Sequence, residues 1–464
     1  MGEELKIFGT KIKLVFFLLL LTTASLFSLI ITRSSLIFSL QLIAGILILI
    51  VSILSTEIAI YLLIFSMLLS PEIILAHTPA REVTIRSEDI LILIVLFGWI
   101  AKTAGFKELG LFRKTPLNRP ILIYCLVCMI STLVGIYTGK VNIYSGFFYT
   151  LKYIEYFFFY FMVVNHVREM EQAKRFTGAL ILTCVIVSLY AMLQIPLGER
   201  VTAPFEGKEG DPNTLGGYLI LLLSITLGLL AHSERRQEKL LLIGLAGLII
   251  LPFLYTLSRG SWLAAIPMLI IFIVMSEKKM FFLFILLITA IALPFVAPER
   301  VKQRVAITFM EEKGFERTEK IGGVAFEPSA SERIITFKVG YKKWQERPIL
   351  GHGVTGGRLI DSQYIRVLVE LGILGIIAFS YLIYSIFKHL LFTYKNSTDP
   401  FSKGLSLGLL GGVGAMLGHS LGASTFIIVR IMEPFWFFTG LVMVLPQLIE
   451  DREINSKIEN QNAK

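Results

Sequence analysis

The stretch PSASERIITFKVGYKKWQERPILGHGVTGGRLIDSQYIRVLVELGILG, residues 328–375, decides how the rest of the chain is read. It starts charged and soluble-looking and ends inside an apolar helix. Ser329-Ala-Ser-Glu332 has the form of a capping box, in which the Ser and Glu side chains satisfy the exposed amides of a starting helix. Ile334, Phe337, Tyr341 and Trp344 follow at spacings of three and four, which makes one apolar face. Arg333, Lys342, Lys343 and Glu346 lie away from that face, and Pro348 stops the helix. The pattern predicts an amphipathic helix of about five turns, either a plain surface helix or a platform against the bilayer surface or the mouth of a bundle. Gly351-His352-Gly353-Val354-Thr355-Gly356-Gly357 lacks the Gly-Lys-Ser/Thr ending of a nucleotide-binding loop and reads as an ordinary glycine-rich turn. The charged segment around it runs from about 297 to 363. Loops of that length inside a compact protein are uncommon and usually functional.

Outward from this segment almost everything is membrane. Hydrophobic residues make up 55% of the chain and charged residues 17%, whereas soluble domains carry about 45–50% and about 25%. Windows of about 18 or more apolar residues recur. The expected fold is all-α: a polytopic transmembrane helix bundle of about 12–14 helices, with one long extracytoplasmic loop containing short amphipathic helices. Candidate helices lie near 14–31, 36–54, 57–75, 88–104, 120–137, 144–166, 175–197, 213–232, 238–256, 260–276, 279–296, 364–391, 403–423 and 427–449. The expected organisation is 1–296 as N-terminal transmembrane helices, 297–363 as the long loop, 364–449 as C-terminal helices and 450–464 as a cytoplasmic tail. Lys6, Lys11 and Lys13 before the first apolar run imitate a signal peptide, but the run is too long for one and reads as an uncleaved first span.

The net charge of +10 sits mostly in short loops, so it sets topology and does not point to nucleic acid. The basic alternate loops contain Lys107, Arg113, Lys114 and Arg119, then Arg168, Lys174 and Arg175, then Arg235, Arg236 and Lys239, then Lys278 and Lys279, then Lys388, Lys395 and Lys403. They belong in the cytoplasm with both termini. Residues 198–212, the turn at 257–260 and the long loop then share the outer face, which brings Arg200, Arg259 and Asp361 to one side of the membrane. Cys125 and Cys128 form a C-x-x-C inside an apolar helix without a second pair, and with Cys184 they read as packing residues. Gly404, Gly408, Gly414, Gly418 and Gly422 form a close-packing stripe. Arg366 and Glu370 stand four apart and can pair.

Singly, Arg259 in Leu257-Ser-Arg-Gly-Ser-Trp262 reads as a boundary arginine and Arg200 in Glu199-Arg-Val-Thr-Ala-Pro-Phe205 as a loop charge. Jointly they make an electropositive clamp for an anionic group such as a diphosphate.

These fragments resemble the O-antigen ligase and O-antigen polymerase family of bacterial membrane glycosyltransferases. The resemblance runs from about Glu199 to Gly375. It is carried by Arg200, Phe205, Asp211-Pro-Asn213 and Gly216; by Ser258-Arg259-Gly-Ser-Trp262; by Glu332-Arg333, Trp344 and Glu346-Arg-Pro-Ile-Leu-Gly351; and by Asp361-Ser-Gln-Tyr364 and Glu370-Leu-Gly-Ile-Leu-Gly375. It implies a metal-independent glycan transfer from an undecaprenyl-diphosphate-linked donor on the outer face of the cytoplasmic (inner) membrane, without a cofactor. The acceptor is the lipid A core in ligases and a second lipid-linked glycan in polymerases. Other polysaccharide-assembly proteins are the further partners expected, besides the lipid bilayer. The two arginines thought to bind the diphosphate in the family map onto Arg200 and Arg259. Where ligases carry a catalytic histidine, this chain has Asp361, which leans towards a polymerase-like member. Asp361 and His352 are the candidate catalytic bases. The competing readings are a lipid-linked oligosaccharide flippase or other transporter, which predicts related halves and short loops, and a structural subunit of an assembly complex.

Overall fold

A computed structural model of the chain describes residues 36–78, 81–105, 113–206, 210–307, 320–321, 324–325, 328–357 and 360–462. The candidate helix near 14–31 and residues 463–464 lie outside them. The fold is a polytopic helix bundle. In order the helices are α1 (Leu36–Leu54), α2 (Thr56–Leu69), α3 (Ser87–Gly105), α4 (Asn118–Tyr137), α5 (Ile143–His166), α6 (Met170–Gln194), α7 (Pro212–His232), α8 (Arg236–Tyr255), α9 (Arg259–Met275), α10 (Lys279–Val296), α11 (Glu299–Ile307), α12 (Pro328–Glu346), α13 (Gln363–Asn396), α14 (Pro400–His419) and α15 (Val429–Asn462). Among the described residues eight helices are long and apolar enough to cross a membrane, and four apolar helices are shorter.

Two small hairpins lie between helices of the expected bundle. β1 (Glu72–Thr78) pairs antiparallel with β2 (Arg81–Arg86), and β3 (Lys320–Ile321) pairs with β4 (Val324–Ala325). The helix expected near 57–75 therefore ends at Leu69. Pro71 disfavours the helical conformation for the residue before it, and Val83-Thr84-Ile85 supplies β-branched residues suited to a strand.

Two compact units are present. One holds residues up to Ile60 together with Asp89–Leu109. In it, Gly98 lets α3 approach Ser52 of α1, where a Cβ would come within 2.8 Å of the serine Cβ. The other holds Tyr61–Glu88 and Gly110–Lys464. Its centre is α7, α14 and the first half of α15, which are largely buried, with α9 packed against α14. The glycine stripe of α14 serves two neighbours. A Cβ on Gly408 would meet Ile225 Cα of α7 at 2.7 Å, and α7 answers with Gly228 against the Gly408 backbone. Gly414 and Gly418 instead face Pro267 of α9. Small residues let backbones approach closely where an apolar medium offers no hydrophobic drive for association.

α12 begins at Pro328 and ends at Glu346, close to the predicted helix. The predicted apolar face is split. Trp344 packs against a small core of Ile360, Ile365 and Val369, and Gly340 lies against Ile365 of α13, whereas Phe337 and Tyr341 are exposed.

α13 is broken at Gly372, whose φ of 67° leaves the helical region. The break is clasped by residues 348–353. His352 N donates to the Val369 carbonyl (2.9 Å), Gly353 N to that of Glu370 (2.8 Å), and Ile373 N to that of Pro348 (2.9 Å). Ser131 Oγ of α4 donates to the Glu370 carbonyl (2.7 Å). The backbone groups released by the break are thus satisfied within the protein, as a non-helical stretch at membrane depth requires.

Candidate functional site

The site is built at the end of the second unit where α7, α9 and α13 begin. Asp211 caps α7, accepting from Asn213 N (2.9 Å) and Thr214 Oγ1 (2.8 Å). Ser258 caps α9, accepting from Ser261 N (3.3 Å), and donates to Asn213 Oδ1 (2.7 Å), so two helix N-termini stand side by side. Gly216 makes this possible: a Cβ there would lie 2.3 Å from Ser261 Oγ. The start of α13 is tied to the turn after α14, with Gln363 N donating to the Ser420 (3.1 Å) and Ala423 (3.2 Å) carbonyls.

Arg200 reaches this end from the loop between α6 and α7. Its Nε donates to the Thr256 carbonyl (2.9 Å) and its Nη2 to that of Leu257 (3.4 Å), immediately before Arg259, the first residue of α9. The strongest charges acting on Arg200 are three guanidiniums, Arg304, Arg259 and Arg333, against one carboxylate, Asp211. Burial first, and those guanidiniums with it, hold Arg200 below its ordinary pKa. Such a cluster beside two helix N-termini, whose amides point partial positive charge outward, favours an anion.

The loop itself is pinned from three sides. Val201 N donates to the Tyr255 carbonyl (3.3 Å), Gln194 Nε2 to the Thr202 carbonyl (2.9 Å), and the buried Arg430 Nη1 of α15 to the Pro204 carbonyl (2.7 Å). Glu206 accepts from Ala203 N (3.3 Å) and Asp211 N (3.1 Å) and stands 3.8 Å from Arg430. Burial pushes its carboxyl up to about 7, against the pull of Arg430.

The predicted site residues therefore separate into three places. Arg200 and Arg259 come together. Asp361 is exposed beside the 420–425 turn: the carbonyl of its neighbour Ile360 accepts from Ser424 Oγ (2.7 Å), and Gly422 of the same turn carries the Arg333 guanidinium over it. His352 is buried (1% exposed) in the clasp around Gly372, with Nε2 donating to the Lys343 carbonyl (2.8 Å). Next to it lies an internal polar network: Glu370 accepts from Tyr153 Oη (2.8 Å) and Thr355 N (3.1 Å) and stands 4.0 Å from Arg366, the pair expected from sequence. Arg304, Arg333 and Asp211 were not singled out as site residues from sequence. Asp211 and Arg333 do figure among the residues that carry the resemblance, but Arg304 is one basic residue among many in a charged loop. Among the described residues no group of three His, Cys, Asp or Glu side chains is placed to hold a metal ion.

Residues 244–380 match the model of the O-antigen ligase family. This segment, about three tenths of the chain, is what is similar to the O-antigen ligases. The match runs from within α8 to within α13 and includes Arg259, Arg304, Arg333, His352 and Asp361. Arg200, Asp211 and Arg430 lie outside it, on elements that pack against it. No curated protein matches the chain significantly. The eight apolar helices make this a multi-pass membrane protein, and its segment 244–380 is similar to the O-antigen ligases.

Proposed function

We propose that the chain transfers or polymerises a glycan carried on undecaprenyl diphosphate at the outer face of the cytoplasmic membrane. One observation carries the reading: Arg200 and Arg259, 59 positions apart in sequence, converge on one cluster of guanidiniums at the helix N-termini of an O-antigen ligase fold. The arginines hold the donor diphosphate and stabilise the negative charge that grows on it as the glycosidic C–O bond breaks. An acceptor sugar hydroxyl attacks the anomeric carbon, and Asp361 takes its proton. Asp361 suits the role better than His352, because it is open to an incoming acceptor while His352 is enclosed and bonded to backbone. An aspartate at this position favours a second lipid-linked glycan as acceptor over lipid A core. The segment 297–363 is the cover that keeps water from competing for the glycan.

The test is complementation of a strain lacking the protein, read on a polysaccharide gel at matched membrane expression. Wild type restores long chains, and Arg259→Ala and Asp361→Ala each lower chain production by at least about a hundredfold, leaving single repeat units. Single units accumulating unattached to lipid A core would turn the reading from polymerase to ligase. Variants that behave as wild type would overturn the site and return weight to a transporter.

A further inference from the structure

We infer that Arg304 and Arg333 complete, with Arg200 and Arg259, a four-guanidinium site for the donor's diphosphate, half of it carried by the segment between α10 and α13. This rests on the function proposed above and assigns two binding residues to it.

The geometry closes from both sides. On one side α11 packs against α8, the helix whose last residue, Tyr255, holds the Arg200 loop through its carbonyl. The Arg300 guanidinium of α11 lies over Gly198, where a Cβ would come within 3.1 Å of Nη2. Arg304 is one turn further along the same face of α11, and its guanidinium is the strongest charge acting on Arg200. On the other side, the Arg333 guanidinium of α12 lies on Gly422, where a Cβ would come within 3.1 Å of Nη1. Gly422 N bonds the His419 carbonyl (3.1 Å), and the His419 ring rests against Gly217 in the first turns of α7, the helix capped by Asp211. Arg333 thereby stands on the turn that packs against α7, and its charge reaches Arg200 as those of Arg259 and Arg304 do. Asp211 is the carboxylate among the strongest charges on Arg200, and its oxygens are engaged in capping α7.

The chemistry selects the ligand. A single phosphate is satisfied by two guanidinium forks, whereas a diphosphate offers a second set of acceptor oxygens for two more. The pair on α9 and the Arg200 loop alone would hold either group. The four together favour the diphosphate.

The experiment uses the purified full chain in nanodiscs, with undecaprenyl diphosphate and undecaprenyl monophosphate as probes and binding read by native mass spectrometry. Arg304→Gln and Arg333→Gln are each expected to weaken diphosphate binding by about tenfold to a hundredfold while changing monophosphate binding much less. Arg333→Lys should fall between. Lys302→Gln, on the same helix as Arg304 and paired with Glu299 at the surface (3.0 Å), should bind as wild type and shows that lost net charge is not the cause. Unchanged binding in Arg304→Gln and Arg333→Gln, with binding abolished in Arg200→Gln, would overturn the inference and leave the proposed function standing. Equal weakening by Lys302→Gln would overturn it too. Unchanged binding in Arg200→Gln and Arg259→Gln as well would remove both.

Discussion

Glu206 shows how one side chain sets the pose of another. Its carboxylate caps the amides of Ala203 and Asp211 and meets Arg430, and that arrangement fixes the loop presenting Arg200. Its pKa is raised from 4.5 to about 7. Between those values the folded chain binds more protons than the unfolded chain, so stability falls as pH rises through that window and levels off above it, by up to about 3 kcal/mol. The groups that face it are Arg430, Asp211 and Arg86. Thermal unfolding followed from about pH 5 to pH 8 in detergent should show this decline in wild type, and Glu206→Gln should abolish most of it. A decline of the same size in Glu206→Gln would place the titration elsewhere. At this scale the sequence was half legible. Arg200 and Arg259 stood out because loop charges and span counting put both on one side. Arg304 and Arg333 did not, since a charged loop holds many basic residues and helix periodicity alone does not say which neighbour each face meets.

The broken helix α13 argues the same point one level up. Glu370-Leu-Gly-Ile-Leu-Gly375 reads as uninterrupted apolar helix, yet Gly372 adopts a φ of 67° and Gly351 one of 68°. Neither has room for a side chain: a Cβ on Gly372 would lie 2.3 Å from the Ile349 carbonyl oxygen, and one on Gly351 would lie 2.5 Å from that of Glu370. A pairing between segments about twenty residues apart leaves no periodic trace, so the break was invisible while α12, marked by its cap and Pro348, was not. The same holds for the β1–β2 hairpin, hidden behind an apolar run that Pro71 ends. Gly372→Ala combines the left-handed penalty with a backbone overlap and should cost about 3 kcal/mol or more. Size-exclusion chromatography of a fluorescent fusion should show reduced monodisperse protein, and limited proteolysis should open new cleavage between about 347 and 357. A variant with unchanged yield and protection would mean that the clasp contributes little. Gly178, with no atom within 4 Å of an added Cβ, supplies the tolerant control.

Across the whole second unit the two ends of the bundle differ in kind. One gathers Arg200, Arg259, Arg304 and Arg333 around convergent helix N-termini. At the other, α9 ends and α14 begins, joined by Lys403 with Glu277 (3.1 Å) and by Tyr394 Oη, which accepts from Glu277 N (2.8 Å). The positive-inside rule assigns the Lys403 end to the cytoplasm through short basic loops, although the guanidinium cluster makes the opposite end strongly basic as well. The conflict resolves if the rule counts short loops only, because long segments translocate largely regardless of charge. The lipid-diphosphate donor proposed above would give that end a reason to stay basic after translocation, since its arginines would have an anion to meet. The assignment is open to a direct measurement. Lys302→Cys places a thiol on exposed α11, and Lys395→Cys places one at the far end of α13. In intact spheroplasts a membrane-impermeant maleimide should label the first and spare the second until the membrane is permeabilised. The native cysteines give a low background, Cys128 and Cys184 being buried and Cys125 half-buried within α4. Labelling of Lys395→Cys in intact cells, with Lys302→Cys protected, would invert the molecule and put the arginine site in the cytoplasm, where a glycan exported before transfer could not reach it.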